Sequence, residues 1–148
     1  MFSKVRIILA GVAVASALAL TACGGTGGGD GPAVNTTEGL AFEQTALTAK
    51  ANTATTVSFA NKASGLQHNW VLVKGGDDVA AQVDQAGAGA APSYVPQGDP
   101  NVVAASKLLN GGEKDAVSVP ALPAGTYTYI CTFPGHYDAG MKGVLTVQ

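Results

Sequence analysis

The sequence contains one arginine, Arg6, and only 12% of its 148 residues are charged. It has two histidines, two cysteines, two methionines and one tryptophan. Each scarcity excludes something. With no basic surface, the chain is not built to hold nucleic-acid phosphates, which need clustered Lys and Arg. Low charge beside 20 glycines does not suit a coiled coil or a charge-rich disordered chain. A single long apolar run excludes a multi-pass membrane protein. Two cysteines allow one disulfide at most. What is plentiful is Val, Thr, Ala and Gly, which leans towards β structure.

The apolar run lies at the start. Sixteen of the residues Met1–Ala22 are hydrophobic, Lys4 and Arg6 precede the run, and Ile7–Leu20 is broken only by Gly11 and Ser16. That pattern is an export signal. It is short and Ala-rich for a bilayer span, although an uncleaved anchor is the alternative. It ends Leu20-Thr21-Ala22-Cys23, which resembles the lipobox of bacterial lipoproteins. The resemblance implies that Cys23 is lipidated and becomes the first residue of the exported protein. The plainer alternative is a cysteine that pairs with Cys131. Cleavage leaves 126 residues, enough for one compact domain, with six lysines against ten acids and a net charge of −4. Residues 23–37 are Gly-rich and read as a flexible tether. Its first dozen residues after Cys23 span roughly 20 Å as a coil and about 40 Å extended. The folded domain is expected over residues 38–148.

In that domain the apolar residues alternate with a period of two. Leu40 with Phe42, Leu47 with Ala49, Val57 with Phe59, Asn69–Lys74, Ala116–Val119, Tyr127–Cys131 and Gly143–Val147 all read as strand-like. Turn signals separate them, at Asn61–Gly65, Asn110–Gly112 and Pro123–Gly125. Many short strands with turns at this spacing predict a β-sandwich. Between Gly75 and Leu109 the pattern changes. Asp77–Gln85 reads as a short helix capped by Asp77 or Asp78, and a Pro- and Gly-rich loop follows. Asp99-Pro100 then resembles the cap and first position of a second helix. Ser106–Leu109 is either the end of that helix or a strand beside Asp115–Val119.

Setting aside the start Met and Cys23, the chain has four soft or imidazole side chains: His68, Cys131, His136 and Met141. Three of them fall in Cys131-Thr-Phe-Pro-Gly-His136-Tyr-Asp-Ala-Gly-Met141, with four residues in each gap. His68 sits on or beside a predicted strand. Singly, each has an ordinary reading: buried Cys, core Met, loop His, strand-end His. Together they suit a mononuclear copper site. A thiolate and two imidazoles in a plane, with a weak thioether above it, accommodate both Cu(I) and Cu(II). Structural zinc is the chemical rival, but it seldom uses Met and prefers more Cys or His.

The segments YICTFPGHYDAGMKGVLTV, QHNWVLV and GGEKDAVSV resemble the blue copper proteins, or cupredoxins, of the azurin and auracyanin group. The likeness runs from about Leu40 to Gln148. The four-and-four ligand spacing is auracyanin-like, since azurins have one residue fewer between the loop His and Met. The resemblance implies an all-β Greek-key sandwich of about eight strands, with a helix-containing insertion over Asp77–Leu109. It implies one copper ion held by His68, Cys131, His136 and Met141. It also implies that Asn69 and Thr132 tie the first ligand's strand to the ligand loop behind the metal. Azurins have Gly before the first His, and its carbonyl approaches the metal. Gln67 stands there in this chain, so no fifth ligand is expected. The azurin disulfide is absent as well.

Four function classes follow. The resemblance implies an electron carrier whose partners are membrane redox complexes or cytochromes of a photosynthetic or respiratory chain. Lipid anchoring on the outer, periplasmic side of the cytoplasmic membrane, as a monomer, completes that expectation. A copper enzyme would need further metal centres, and no histidine is left to build them, so the chain is not expected to be an enzyme. A copper-delivery or sequestration lipoprotein is the alternative, although such proteins commonly expose Met- or His-rich sites. The fourth class is a metal-free adhesion sandwich. For the carrier, electrons are expected to pass the His136 edge through a mostly uncharged patch of Pro134, Gly135, Tyr137, Ala139 and Gly140.

Overall fold

A computed structural model describes residues 31–148. The export signal, Cys23 and the first part of the tether lie outside the described residues. Eight strands and one helix follow in order: β1 Ala33–Asn35, β2 Ala46–Ala49, β3 Thr55–Ala60, β4 Val71–Val73, α1 Asp77–Ala88, β5 Val102–Ala105, β6 Lys114–Val119, β7 Gly125–Ile130 and β8 Lys142–Val147. They form two sheets, ordered β1-β3-β6 and β2-β8-β7-β4-β5. Strands distant in sequence lie side by side, as in a Greek key. β2 runs parallel to β8, whereas β7 lies antiparallel to both β8 and β4.

Period-two alternation builds the core. Val57 and Phe59 of β3, Val117 and Val119 of β6, and Tyr127 and Tyr129 of β7 all point between the sheets. Phe42, Phe59, Tyr129 and Trp70 form a connected aromatic series with ring centroids 5.3–6.2 Å apart. Such contacts contribute about 0.5–1.5 kcal/mol each beyond simple burial. β4 is buried on both faces. Leu72 joins the main core, while Val71 and Val73 pack under α1 with Ala80, Val83 and Ile130. That double burial explains its unbroken Val-Leu-Val.

Several expectations are corrected. The folded unit begins before Glu38: Ala33–Asn35 forms β1, parallel to Ser58–Ala60, with Val34 fully buried. A three-residue strand with one buried residue gives no periodic signal in sequence. The helix is longer than Asp77–Gln85, and Gly76 rather than an Asp side chain occupies its cap. Asp77 and Asp78 stand in the first turn, where they favour the positive end of the helix dipole. No second helix follows Pro100. Asp99 Oδ1 does accept the Asn101 N–H at 2.8 Å, but it closes a turn. Val102–Ala105 then pairs with β4 as the edge of the large sheet, and β-branched residues fit that place better than a helix. Ser106–Leu109 is neither helix end nor partner of Asp115–Val119. Leu109 makes an isolated bridge to His68, and β6 pairs with β3.

Gly143 of β8 faces Tyr129 of β7 across the sheet. A Cβ built at Gly143 would meet the Tyr129 ring and hydroxyl at 2.2 Å. That ring is held in place, because its hydroxyl donates to the Gln44 carbonyl at 2.6 Å. Gly143→Ala should therefore destabilise the fold by about 1–3 kcal/mol. Urea unfolding would read this as a lower midpoint with an unchanged slope.

Candidate metal centre

Two chain segments bring three donors together. The residues entering β4 alternate, and His68 falls on the core side with Trp70 and Leu72. Its backbone is fixed by paired hydrogen bonds with Leu109, at 3.1 and 2.8 Å. The second segment is the loop from Cys131, just past β7, to Met141, just before β8. It closes on itself. Cys131 N–H donates to the Met141 carbonyl at 3.2 Å, and Met141 N–H to the His136 carbonyl at 3.0 Å. Gly135 and Gly140 take φ of +82° and +98°, which side chains rarely adopt. This loop therefore needs glycine at both places.

Cys131 Sγ lies 3.8 Å from His68 Nδ1 and 3.4 Å from His136 Nδ1. All three donor atoms fall within 4.8 Å of one another. His68 and Cys131 are fully buried, and His136 keeps 5% of its surface exposed. Donors about 2.3 Å (sulfur) and about 2.0 Å (nitrogen) from one ion, spread in a plane, stand about 3.7 Å apart. The two sulfur–nitrogen distances, 3.8 and 3.4 Å, lie on either side of that value. The set is one soft sulfur and two imidazoles with no carboxylate among them, which suits copper. Met141 is fully buried beside Cys131 in the main core.

Behind the donors, Asn69 joins the two segments. Its Oδ1 accepts the Thr132 N–H at 2.8 Å, and its Nδ2 donates to Thr132 Oγ1 at 2.9 Å. It also donates to the Ser93 carbonyl at 3.2 Å, and the Thr132 hydroxyl donates to the Tyr94 carbonyl. Ser93 and Tyr94 were not singled out in the sequence, because main-chain acceptors carry no residue signature. Pro134, Gly135, Ala139 and Gly140 are exposed around His136. Tyr137 is half-buried and leans to α1, where its hydroxyl donates to the Asp77 carbonyl at 3.2 Å. A cleft of about 390 Å³ between α1 and the loop carries Asp84 and Asp138. Burial, then the neighbouring Asp138, raises Asp84 to about 6. Its Oδ1 is buried without a hydrogen-bond partner.

A sequence profile of copper binding proteins, the plastocyanin/azurin family, matches residues 32–148. The chain belongs to this family. It is 44% identical to auracyanin-A of Chloroflexus aurantiacus over 158 aligned positions, covering 97% of each chain. It is 53% identical to auracyanin-B of the same organism over 113 positions, 74% of this chain and 48% of that protein. The chain thus spans about half the length of that relative. Dithionite-reduced auracyanin from the photosynthetic bacterium Roseiflexus castenholzii superposes with a TM-score of 0.78 at 39% identity, covering 82% of this chain and 99% of that one. Cupredoxins of this family bind copper and are electron carriers that work with redox partners, and His68, Cys131 and His136 form the candidate site for one copper in this chain.

Burial lowers His68 to about 4, with His136 adding to the effect, and burial also lowers His136. Burial raises the Cys131 thiol to about 11, against a pull from the backbone of Asn69 and Phe133. At neutral pH the metal-free cupredoxin site is therefore two neutral imidazoles and a protonated thiol. Copper should release one proton on binding at pH 7, and that proton comes from Cys131. Apparent affinity should then rise about tenfold per pH unit from pH 7 upward, and level off as pH passes the thiol value. Titration in two buffers of different ionisation enthalpy reads the proton count, and Cys131→Ser should release none.

Proposed function

We propose that this cupredoxin is a tethered one-electron shuttle. Cys23 carries the lipid anchor on the outer face of the cytoplasmic membrane, and the Gly-rich segment lets the domain reach neighbouring redox complexes or cytochromes. Two or more acyl chains hold a protein at a membrane stably. The observation that carries the reading is the closed, buried set of His68, Cys131 and His136, with only His136 reaching the surface. Copper bound there supplies one-electron exchange between Cu(I) and Cu(II). The chain's own residues exclude water and keep the donors in place in both states. The R. castenholzii auracyanin comes from a photosynthetic bacterium, which favours a photosynthetic chain over a respiratory one.

In this reading Met141 would be the fourth residue to hold the copper, weakly, through its thioether. Its support is complete burial beside Cys131 and its place at the end of the self-closed loop. A thioether contributes little binding but disfavours Cu(II) relative to harder donors. Met141→Leu should keep copper and raise the reduction potential, whereas Met141→Gln should lower it. Voltammetry of both variants checks this, and loss of copper from both would remove Met141 from the ligand set.

Electrons pass through the His136 edge, across Pro134, Gly135, Ala139 and Gly140. These four are exposed and uncharged, so a partner can approach closely and leave quickly. The acids Asp84 and Asp138 border one side. Ala139→Lys should leave the optical spectrum unchanged and slow electron exchange with native membranes. An unchanged rate would move the exchange surface elsewhere. Ala139 is the better probe than Gly135, whose left-handed backbone would strain under any side chain.

A further inference from the structure

The insertion between β4 and β6 does more than cover the sandwich. Gly87, in the last turns of α1, is buried against the ligand loop. A Cβ built on it would lie 2.7 Å from the Tyr94 carbonyl oxygen, 3.0 Å from Thr132 Cβ and 3.4 Å from Thr132 Cγ2. The first of these is a backbone atom and cannot swing aside. Glycine inside a helix is intrinsically less favourable than alanine, so the helix gives up propensity at this position and gains close approach.

What approaches is a clamp. Tyr94 holds φ at +55°, a left-handed conformation uncommon for a large side chain. That turn aims its carbonyl at the Thr132 hydroxyl and its ring at Phe133. The Tyr94 and Phe133 rings meet edge-on at 5.0 Å, and Phe133 packs on His136 at 4.7 Å. Ser93 meanwhile accepts from Asn69. The insertion therefore grips the neighbour of Cys131 on one side and the ring packed on His136 on the other.

We infer that Gly87 is a positioning residue for the copper ligands: its missing side chain lets α1 and the Ser93-Tyr94 turn close on Thr132 and fix the Cys131 thiolate. The inference rests on the copper site and is independent of which partners exchange electrons. Outer groups that orient ligands commonly change metal affinity by about 10–100-fold when altered.

The test uses the full chain with Gly87→Ala, and with Gly89→Ala as control. Gly89 lies two residues on, in ordinary helical conformation, where a Cβ meets nothing closer than 3.7 Å. In metal-free protein, Gly87→Ala should loosen the Thr132 N–H bond to Asn69 and speed exchange of that amide about tenfold, the loss of roughly one buried hydrogen bond. With copper it should shift the visible thiolate band and lower affinity about tenfold in chelator competition. Gly89→Ala should change none of these. If Gly87→Ala keeps all three values, the inference is overturned. Should that variant not fold, Thr132→Val decides, since it keeps shape but deletes the hydroxyl between Asn69 and Tyr94. It should shift the band and weaken copper about tenfold, and retention of both values overturns the inference. If unaltered protein gives no visible band with Cu(II), the metal reading itself falls and this inference falls with it.

Discussion

Three donors of two kinds, two imidazoles and a thiol, face one another in a buried pocket, and the rest of the chain is arranged around that constraint. Left to themselves these groups would spread into water. Burial pushes His68 and His136 towards the neutral form and keeps the Cys131 thiol protonated, so the pocket holds no net charge of its own. An uncharged pocket avoids the cost of burying unpaired ions. It also leaves the donors ready for a soft cation that binds as one thiol proton leaves.

The Asn69–Thr132 joint keeps that arrangement from relaxing. One amide side chain bonds both the backbone and the hydroxyl of the residue after Cys131. Each such buried bond contributes about 1 kcal/mol, and together they link strand β4 to the start of the ligand loop. The insertion adds a second restraint from outside the sandwich, through Ser93, Tyr94 and Gly87. By contrast, the exposed ion pairs Lys62–Glu43 and Lys142–Asp77 contribute little, because water screens them. The site is held by buried hydrogen bonds and close packing rather than by ion pairs.

Much of this was legible in the sequence, for physical reasons that differ from element to element. Alternation at Val57 and Phe59, at Tyr127 and Tyr129, and at the chain's end marked strands correctly, because one face of each is core. The spacing of Cys131, His136 and Met141 marked the loop, because a single turn must supply those groups. β1 was hidden in the tether because three residues give no period. The Asp99-Pro100 turn imitated a helix start, because the same side-chain cap closes both structures. Contacts made by main-chain carbonyls at Ser93 and Tyr94, and by the absent side chain of Gly87, have no letter in the sequence. They become visible only once distant segments are brought together.

The central claim is that the protein, not the metal, sets the geometry, so that gaining or losing an electron moves little. The most direct measurement is a set of high-resolution structures of the metal-free, Cu(I) and Cu(II) forms. The account predicts that Cys131 Sγ stays near 3.4 Å from His136 Nδ1 and 3.8 Å from His68 Nδ1 in all three, with Asn69 still bonded to Thr132. A metal-free form in which His136 swings out to solvent, or a ligand loop rebuilt between Cu(I) and Cu(II), would contradict it.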